Sequence, residues 1–355
     1  MLSRFYLVFL VLVSFILYFS TFSWAENKRI VLVHSYDCDD VCGGPQREGV
    51  LEAFNSSPLA GKVEFFDFYM DTKNKNVDHR SIIKVAKEAI EFIKKINPEI
   101  IICFDDNSFL YVGMNFLKDK NKSIVFTGLN GLPEDYNKIF NFMISREKPG
   151  YNITGVYEKL YAQKSINVFK HILPNLKNIL VVTDNTTTGK ALSKQIFLET
   201  KDLTDIEIKN IVVENFEEYK KIILEINKSK QVDAIYPLAL SLRQGKQIVG
   251  PNEILAWTIK NSRIPDIAVN YYFCQLGLLG GATVDFKEMG KQAGEKAIKI
   301  LQGVPAGNIP IDDARAYALA FNIQRAKMLG LNIPKNILFA AHRIYKDIKV
   351  FEYEK

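Results

Sequence analysis

Pro98-Glu99-Ile100-Ile101-Ile102-Cys103-Phe104-Asp105-Asp106-Asn107 is the stretch whose reading decides the fold. Five apolar residues run without alternation and then give way abruptly to carboxylates and an amide. A run this short and this uniformly apolar reads as a buried strand. Upstream, Ile82, Ile83, Ala86, Ala89, Ile90 and Ile93 repeat at helical spacing across 79–96, and Pro98 stops that helix. Downstream, a second helical pattern spans about 108–117. Helix, buried strand, polar strand end, helix is the unit of a parallel sheet with helical crossovers.

The same unit repeats in both directions. Before it, strands are predicted at 29–34 and 63–69, with a helix at about 46–54 between them. After it comes a strand at 123–127, ending in a loop that carries Asn130-Gly131. Pro149-Gly150 marks a break, and the pattern restarts with a crossing strand at 153–157. Strands at 178–183, 206–213, 232–238 and 266–269 then alternate with helices at about 164–173, 189–199, 216–227 and 252–261. The expected fold class is therefore α/β, with two doubly wound parallel-sheet lobes. The tail after about 276, with a helix at 287–301, is too short for a third domain, so the chain recrosses a multi-strand hinge. The expected lobes are 26–150 plus about 277–305, and 151–276 plus about 306–355.

The first 25 residues carry one charge, Arg4, then an apolar run from Phe5 to Phe22 and small residues at Ser23 and Ala25. This is a cleavable secretory signal, residues 1–25, with cutting before Glu26, and it places the protein in the periplasm or otherwise outside the cytoplasmic membrane. An uncleaved membrane anchor is the alternative, since the run approaches the ~20 residues a spanning helix needs. The formal net charge of +6 is spread along the chain without like-charge blocks, which argues against a nucleic-acid partner. Four cysteines are present; Cys38 and Cys42 share one loop, and an oxidising compartment allows them to pair as a disulfide. No second ligand pair follows them at zinc spacing, so no metal is expected.

In open parallel sheets, ligands bind beyond the carboxyl ends of the strands. Those ends here are rich in hydroxyls, amides, carboxylates and tyrosines. The candidate contacts are Tyr36, Asp106, Asn107, Thr127, Asn130, Glu158, Thr187 and Tyr271, with stacking assigned to the two tyrosines and polar orientation to the rest. Asp106 and Glu158 suit an amine or hydroxyls. Asp71 and Lys73 are read as bracing the loop after the second strand. Asp, Asn and Thr at strand ends are also ordinary helix N-caps.

Catalytic patterns are absent. The segment from Asp184 to Ala191 looks like a phosphate loop, but Asp184 replaces its first Gly and Ala191 follows Lys190 where Ser or Thr belongs. It reads as a capped helix start. No G-x-G-x-x-G follows the first strand, and no G-x-S-x-G occurs. His34 beside Asp37 and Cys38 reads as a strand-end histidine satisfying a local hydrogen bond. No cofactor and no enzymatic activity are expected.

Tyr69-Met70-Asp71-Thr72-Lys73, residues 98–107, Val125-Phe126-Thr127-Gly128-Leu129-Asn130, Asn152-Ile153-Thr154-Gly155-Val156-Tyr157-Glu158, and Asn322 to Pro334 as a closing helix stand in this order along the chain. Together they resemble the substrate-binding proteins of ABC transporters, of the tryptophan/tyrosine type, including a subgroup used as extracytoplasmic sensor modules. The resemblance implies a type I periplasmic-binding fold, capture of a small organic molecule between the lobes by hinge closure, a monomer, and delivery to a membrane permease. The alternative it implies is a periplasmic sensor reporting to a membrane kinase or cyclase. The Ser35-Tyr36-Asp37-Cys38 loop departs from the transporter-type pattern.

Overall fold

The computed structural model describes residues 27–238 and 241–352. The expected signal at 1–25 and the strand-end residues Ala239 and Leu240 lie outside them.

The chain opens with β1 (Lys28–His34), α1 (Gly43–Asn55), β2 (Val63–Tyr69), α2 (His79–Ile96), β3 (Ile100–Phe104) and α3 (Asp105–Tyr111). A short 3-10 turn at Gly113–Phe116 leads to β4 (Ser123–Leu129), α4 (Pro133–Phe140) and β5 (Ile153–Tyr157). Helix α2 begins where the Asp78 side chain accepts the N–H groups of Arg80 and Ser81, and it ends on Asn97, left-handed at φ 50. Sequence reading missed α4, whose signals were present: Pro133 opens it, and Glu134 and Asp135 sit in its first turn. The helix expected at about 108–117 instead starts at Asp105 and gives way to the 3-10 turn. Gly113 there passes so close to Cys103 that a Cβ would lie 2.9 Å from Sγ.

Second come α5 (Ala162–Ile172), β6 (Asn178–Asp184), α6 (Thr187–Thr200), β7 (Glu207–Val213), α7 (Phe216–Ser229) and β8 (Ala234–Leu238). They are followed by the hairpin β9 (Leu242–Gln244) and β10 (Gln247–Val249), then α8 (Pro251–Asn261), α9 (Tyr271–Leu276), β11 (Gly280–Val284) and α10 (Phe286–Leu301). The chain finishes with β12 (Ile311–Asp313), β13 (Tyr317–Asn322), α11 (Ile323–Met328), α12 (Lys335–Ala340) and β14 (Arg343–Tyr345).

One sheet has the order β12-β5-β4-β3-β1-β2, parallel throughout. Its inner strands β1, β3 and β4 carry apolar residues at successive positions because both faces are covered. Ile30, Leu32, Ile102 and Val125 pack with Val50 and Phe54 of α1 and Met289 and Ala293 of α10. Val31, Val33, Ile101 and Phe126 face the other way, onto Val85, Ala89 and Ile93 of α2 and Phe109 of α3. Helices α1 and α10 meet through glycine: a Cβ on Gly49 would lie 2.0 Å from the Lys287 carbonyl oxygen, and one on Gly290 2.0 Å from that of Gln46.

The remaining sheets have the orders β7-β6-β8 and β11-β13-β14, bridged through Ile235–Asp266 and Ile267–Gly280. The strand expected at 266–269 is reduced to those isolated bridges. Asp266 is fully buried and accepts Arg325 Nε at 2.9 Å and Nη2 at 2.5 Å, while Arg325 Nη1 and Nη2 also donate to the carbonyls of Ile259 and Ser262. This anchors α11, the start of the closing segment.

The chain passes between the sheets after Tyr157, between Val284 and Phe286, and between Asp313 and Tyr317. Against the expected lobe boundaries, β5 and β12 hydrogen-bond in the first sheet and β11 in the second set. The reason lies in β5: all five of its residues are buried, so it needs neighbours on both edges and layers on both faces.

Candidate functional site

The carboxyl ends of β1, β3, β4 and β5 bring Tyr36, Asp105, Asp106, Asn107, Asn130 and Glu158 together. After β1, Ser35 Oγ donates to the Phe104 carbonyl at 2.6 Å and accepts Ser108 N–H at 2.8 Å, locking the β1 and β3 ends. Thr72 Oγ1 donates to the Ser35 carbonyl at 2.8 Å and accepts Asn107 Nδ2 at 2.9 Å. Asn107 is thus oriented by the loop after β2.

Asp106 is half-buried and heavily hydrogen-bonded. It accepts Asn130 Nδ2 at 2.9 Å, Asn130 N at 3.2 Å, Gly131 N at 3.3 Å and Tyr136 Oη at 2.5 Å. Asn130 is therefore held by Asp106, and both sit at the mouth of β4. Glu158, 6% exposed, shares this space with Asp106 and Lys73. Its carboxyl has no hydrogen-bond partner among the described residues. Burial, then the Asp106 charge, pushes it up to about 8 against the pull of Lys73.

Lys73 was read from sequence as a brace, yet it enters this cluster. Its ammonium lies 3.5 Å from the centroid of the Tyr36 ring and donates to Asp40 Oδ2 at 2.6 Å. Burial lowers its pKa, and Cys42 and Asp40 more than offset this, leaving it above the ordinary value. Asp40 Oδ1 also accepts the N–H groups of Cys42 and Gly43, each at 2.9 Å. Tyr36 and Cys42 are half-buried and Lys73 is exposed, 43% for its side chain, so the three border a solvent-open recess at the strand ends.

Asp105 is a second residue the sequence list left out. It takes the left-handed region at φ 65, is 3% exposed, and its Oδ2 has no partner. Burial, followed by repulsion from Asp40, holds it well above the usual carboxylate range. The only sequence signal for it was its place directly after β3.

The other candidates divide. Thr127 is fully buried and its hydroxyl donates to Gln46 Oε1 at 2.9 Å, towards α1. Tyr271 opens α9, is 8% exposed, and has the Arg343 guanidinium 4.2 Å from its ring centroid. Burial pushes its phenol up against the pull of the Arg343 guanidinium, and Asp285 and Cys42 are the next groups that bear on it. The side chain of Thr187 lies outside the described residues. Its neighbour Thr186 caps α6, accepting Gly189 N–H at 3.0 Å, and Asp184 accepts Thr186 N–H at 3.0 Å and Ser241 N–H at 3.1 Å. The phosphate-loop-like stretch is a capped helix start.

All four cysteines are free thiols: Cys38 exposed, Cys42 half-buried, Cys103 and Cys274 buried. Burial, then the Asp40 charge, pushes the Cys42 thiol up. His34 is sandwiched between Tyr69 and Phe104, with ring centroids 4.4 Å away on each side. Its Nε2 meets Asp67 Oδ1 at 2.9 Å, and Arg47 grips the same carboxylate. It is a core residue. Among the described residues no group of His, Cys, Asp and Glu is placed to hold a metal ion.

Known proteins share the architecture of this chain. An ABC domain from Streptococcus pneumoniae, crystallised in complex with L-Trp, superposes with a TM-score of 0.68 at 15% identity, covering 90% of this chain and 99% of that one. The ligand-free, open structure of CD0873, a substrate-binding protein with adhesive properties from Clostridium difficile, gives 0.66 at 15% identity, with 90% and 100% covered. The architecture is the type I periplasmic-binding fold. A tyrosine-binding protein of Clostridioides difficile (strain R20291) is 28% identical over 195 residues, 53% of this chain. That match spans 52% of the relative, about half its length. The model of the family described as ABC transporter substrate binding protein matches residues 112–345, from the end of α3 to β14. The chain belongs to the ABC transporter substrate-binding protein family.

Proposed function

We propose that this chain is the extracytoplasmic solute-binding component of an ABC importer, capturing a small organic molecule at the carboxyl-end recess by hinge closure and delivering it to a membrane permease. The observation that carries this reading is the unpartnered Glu158 carboxyl. It sits on the first crossing between the sheets, beside Asp106 and Lys73, with Tyr36 and Tyr271 at the same recess. A protonated amine on the solute pairs with Glu158 and draws its carboxyl into the ionised form beside Asp106. The rings of Tyr36 and Tyr271 each hold a side-chain cation on one face, and the half-buried Tyr36 is the one placed to meet a planar group on the solute. Asn107 and Asn130 orient polar groups. An amine joined to a ring fits this set, and the L-Trp held by the Streptococcus protein and the name of the tyrosine-binding relative support that class.

A solute touching both sides favours the closed state only through contacts made there. The chain from Glu26 onward is expected to show a saturable rise in melting temperature with one or more aromatic amino acids in a screen that also holds sugars, nucleosides and short peptides. Asn107→Ala, with its fold intact by circular dichroism, is expected to weaken that solute about tenfold, the worth of one hydrogen bond to a charged or well-placed group. A flat response across the screen would overturn the reading.

A further inference from the structure

Strands β1 to β5 run parallel, so their amino ends share one end face, opposite the recess. Backbone hydrogen bonds stitch that face together. Lys28 N–H donates to the Lys62 carbonyl at 3.1 Å, Glu99 N–H to that of Arg29 at 3.0 Å, and Ser123 N–H to that of Glu99 at 2.9 Å. Ile124 N–H donates to the Asn152 carbonyl at 2.8 Å, and Asn152 Nδ2 reaches the carbonyls of Phe116, Asp119 and Lys122.

Lysines that are scattered in sequence are gathered there. Lys62 leads into β2, Lys28 opens β1, and Lys94 and Lys95 end α2 just ahead of β3. Lys118, Lys120 and Lys122 lead into β4. The approaches to the five strands, at 27–29, 62–64, 94–99, 117–123 and 147–152, hold nine lysines and arginines against four carboxylates. Few of these cations are neutralised. Lys28 reaches Glu99 at 3.4 Å, and Lys94 reaches Glu91 at 2.8 Å. Lys62 and Lys122 donate to neutral acceptors, the Pro58 carbonyl at 3.0 Å and Asn97 Oδ1 at 2.7 Å. The Lys118 ammonium lies 5.1 Å from the centroid of the Tyr151 ring. Lys62, Lys95, Lys118, Lys120 and Lys122 thus have no carboxylate partner among the described residues, and all but the half-buried Lys122 are exposed. The opposite ends of the same strands carry Asp40, Asp105, Asp106 and Glu158 around Lys73, so the lobe is polarised along its strands.

The layout of the array selects its partner. With neighbouring strands ~4.8 Å apart, the cations are spread over about 20 Å from β2 to β5. Lysines on separate strand approaches match an extended anionic surface, whereas a small anion needs donors that converge on one point. Nucleic acids and lipid bilayers both present such a surface. The point of chain entry favours the bilayer: Asn27, the first described residue, lies on this end face with its Nδ2 donating to Glu64 at 3.4 Å, and the apolar run from Phe5 to Phe22 precedes it in sequence. Export, the proposed address, also leaves the chain beside a membrane. We propose that the amino-end face of strands β1 to β5 docks on anionic phospholipid headgroups. The recess then points away from the bilayer, at the far end of strands about 20 Å long, so lipid contact keeps the protein at the membrane without covering the solute site.

The test is co-sedimentation of the chain from Glu26 onward, which holds every described residue, with two kinds of vesicle. One is pure phosphatidylcholine and the other contains about one third phosphatidylglycerol, both in low salt. Binding to the anionic vesicles is expected to be about tenfold or more tighter than to the neutral ones, and to be lost in about 0.5 M sodium chloride. Lys95→Glu/Lys118→Glu/Lys120→Glu is expected to weaken it about tenfold or more. Lys201→Glu/Lys228→Glu/Lys246→Glu makes the same change in net charge at exposed positions of the other lobe and is expected to stay within about twofold of wild type. The wild-type lipid and salt comparison stands even where a variant fails to fold. No solute is present, so the outcome is independent of the solute-capture reading. Equal binding to both vesicles, binding to neither, equal weakening by the two triple variants, or tighter binding to a DNA duplex than to the anionic vesicles overturns the proposal.

Discussion

Glu158→Gln exchanges one oxygen for an amide nitrogen at the first crossing and removes a buried acid that has no hydrogen-bond partner among the described residues. In the folded chain that carboxyl titrates at about 8, against an ordinary value of 4.5. Between those two values the folded state holds a proton that the unfolded state has released, so stability falls as pH rises through the window. Below about 4.5 both states are protonated and the group costs nothing. Above about 8 both are ionised, and the folded state bears the full penalty, a ceiling of about 5 kcal/mol at 1.36 kcal/mol per pH unit. The glutamine variant has no such proton to lose. Thermal melts from pH 5 to 9, without solute, are expected to run close together at the acid end and to separate progressively, with the variant melting higher at pH 9 by several degrees. Asp105 is pushed up in the same direction by its own burial and remains in both proteins, so the diagnostic quantity is the difference between the two profiles. Parallel profiles across the whole range would refute the assignment of Glu158 as a buried, proton-holding acid. The same variant is expected to abolish the rise in melting temperature produced by an amine-bearing solute.

Two further outcomes follow from packing. Arg325→Met leaves the fully buried Asp266 facing only the Leu279 N–H, 2.6 Å from its Oδ1, and is expected to cost about 3–5 kcal/mol in urea unfolding, with the paired change Arg325→Met/Asp266→Leu recovering much of it. Gly290→Ala places a Cβ 2.0 Å from the Gln46 carbonyl oxygen and is expected to destabilise by about 1–3 kcal/mol, whereas Gly44→Ala meets nothing within 4 Å and is expected to be neutral or slightly stabilising.

Much of the fold was legible because its central strands are covered on both faces. β1, β3 and β5 are short, apolar at successive positions and bounded by polar ends, a signature that needs no tertiary knowledge. The edges were harder. β7 is mostly exposed and reads by β-propensity alone, while β12 and the β9–β10 hairpin have three residues per strand, too few for a period to emerge. β13 alternates Tyr317, Leu319 and Phe321 with alanines, and the reading of a tail that recrosses the hinge assigned it no strand. Which lobe each tail segment joins depends on pairings made more than a hundred residues away, such as β12 with β5, and no local pattern encodes that.

The site divides along the same line. Position after a strand located Tyr36, Asp106, Asn107, Asn130 and Glu158. The same rule proposed Thr127, whose side chain alternation turns towards α1. It overlooked Lys73, which is carried back over Tyr36 by the loop after β2. Asp105 was passed over because its placement depends on a left-handed backbone that the sequence does not announce.

The close seat of α10 on α1 has a consequence for how the chain acquires its shape. The layer that seals the Ile30–Leu32–Ile102 face of the first sheet comes from residues 286–301, made only after almost the whole of the other lobe has been synthesised. A nascent chain emerging from its N-terminus therefore exposes that apolar face until late, and the lobe completes by a long-range closure of the kind that slows folding.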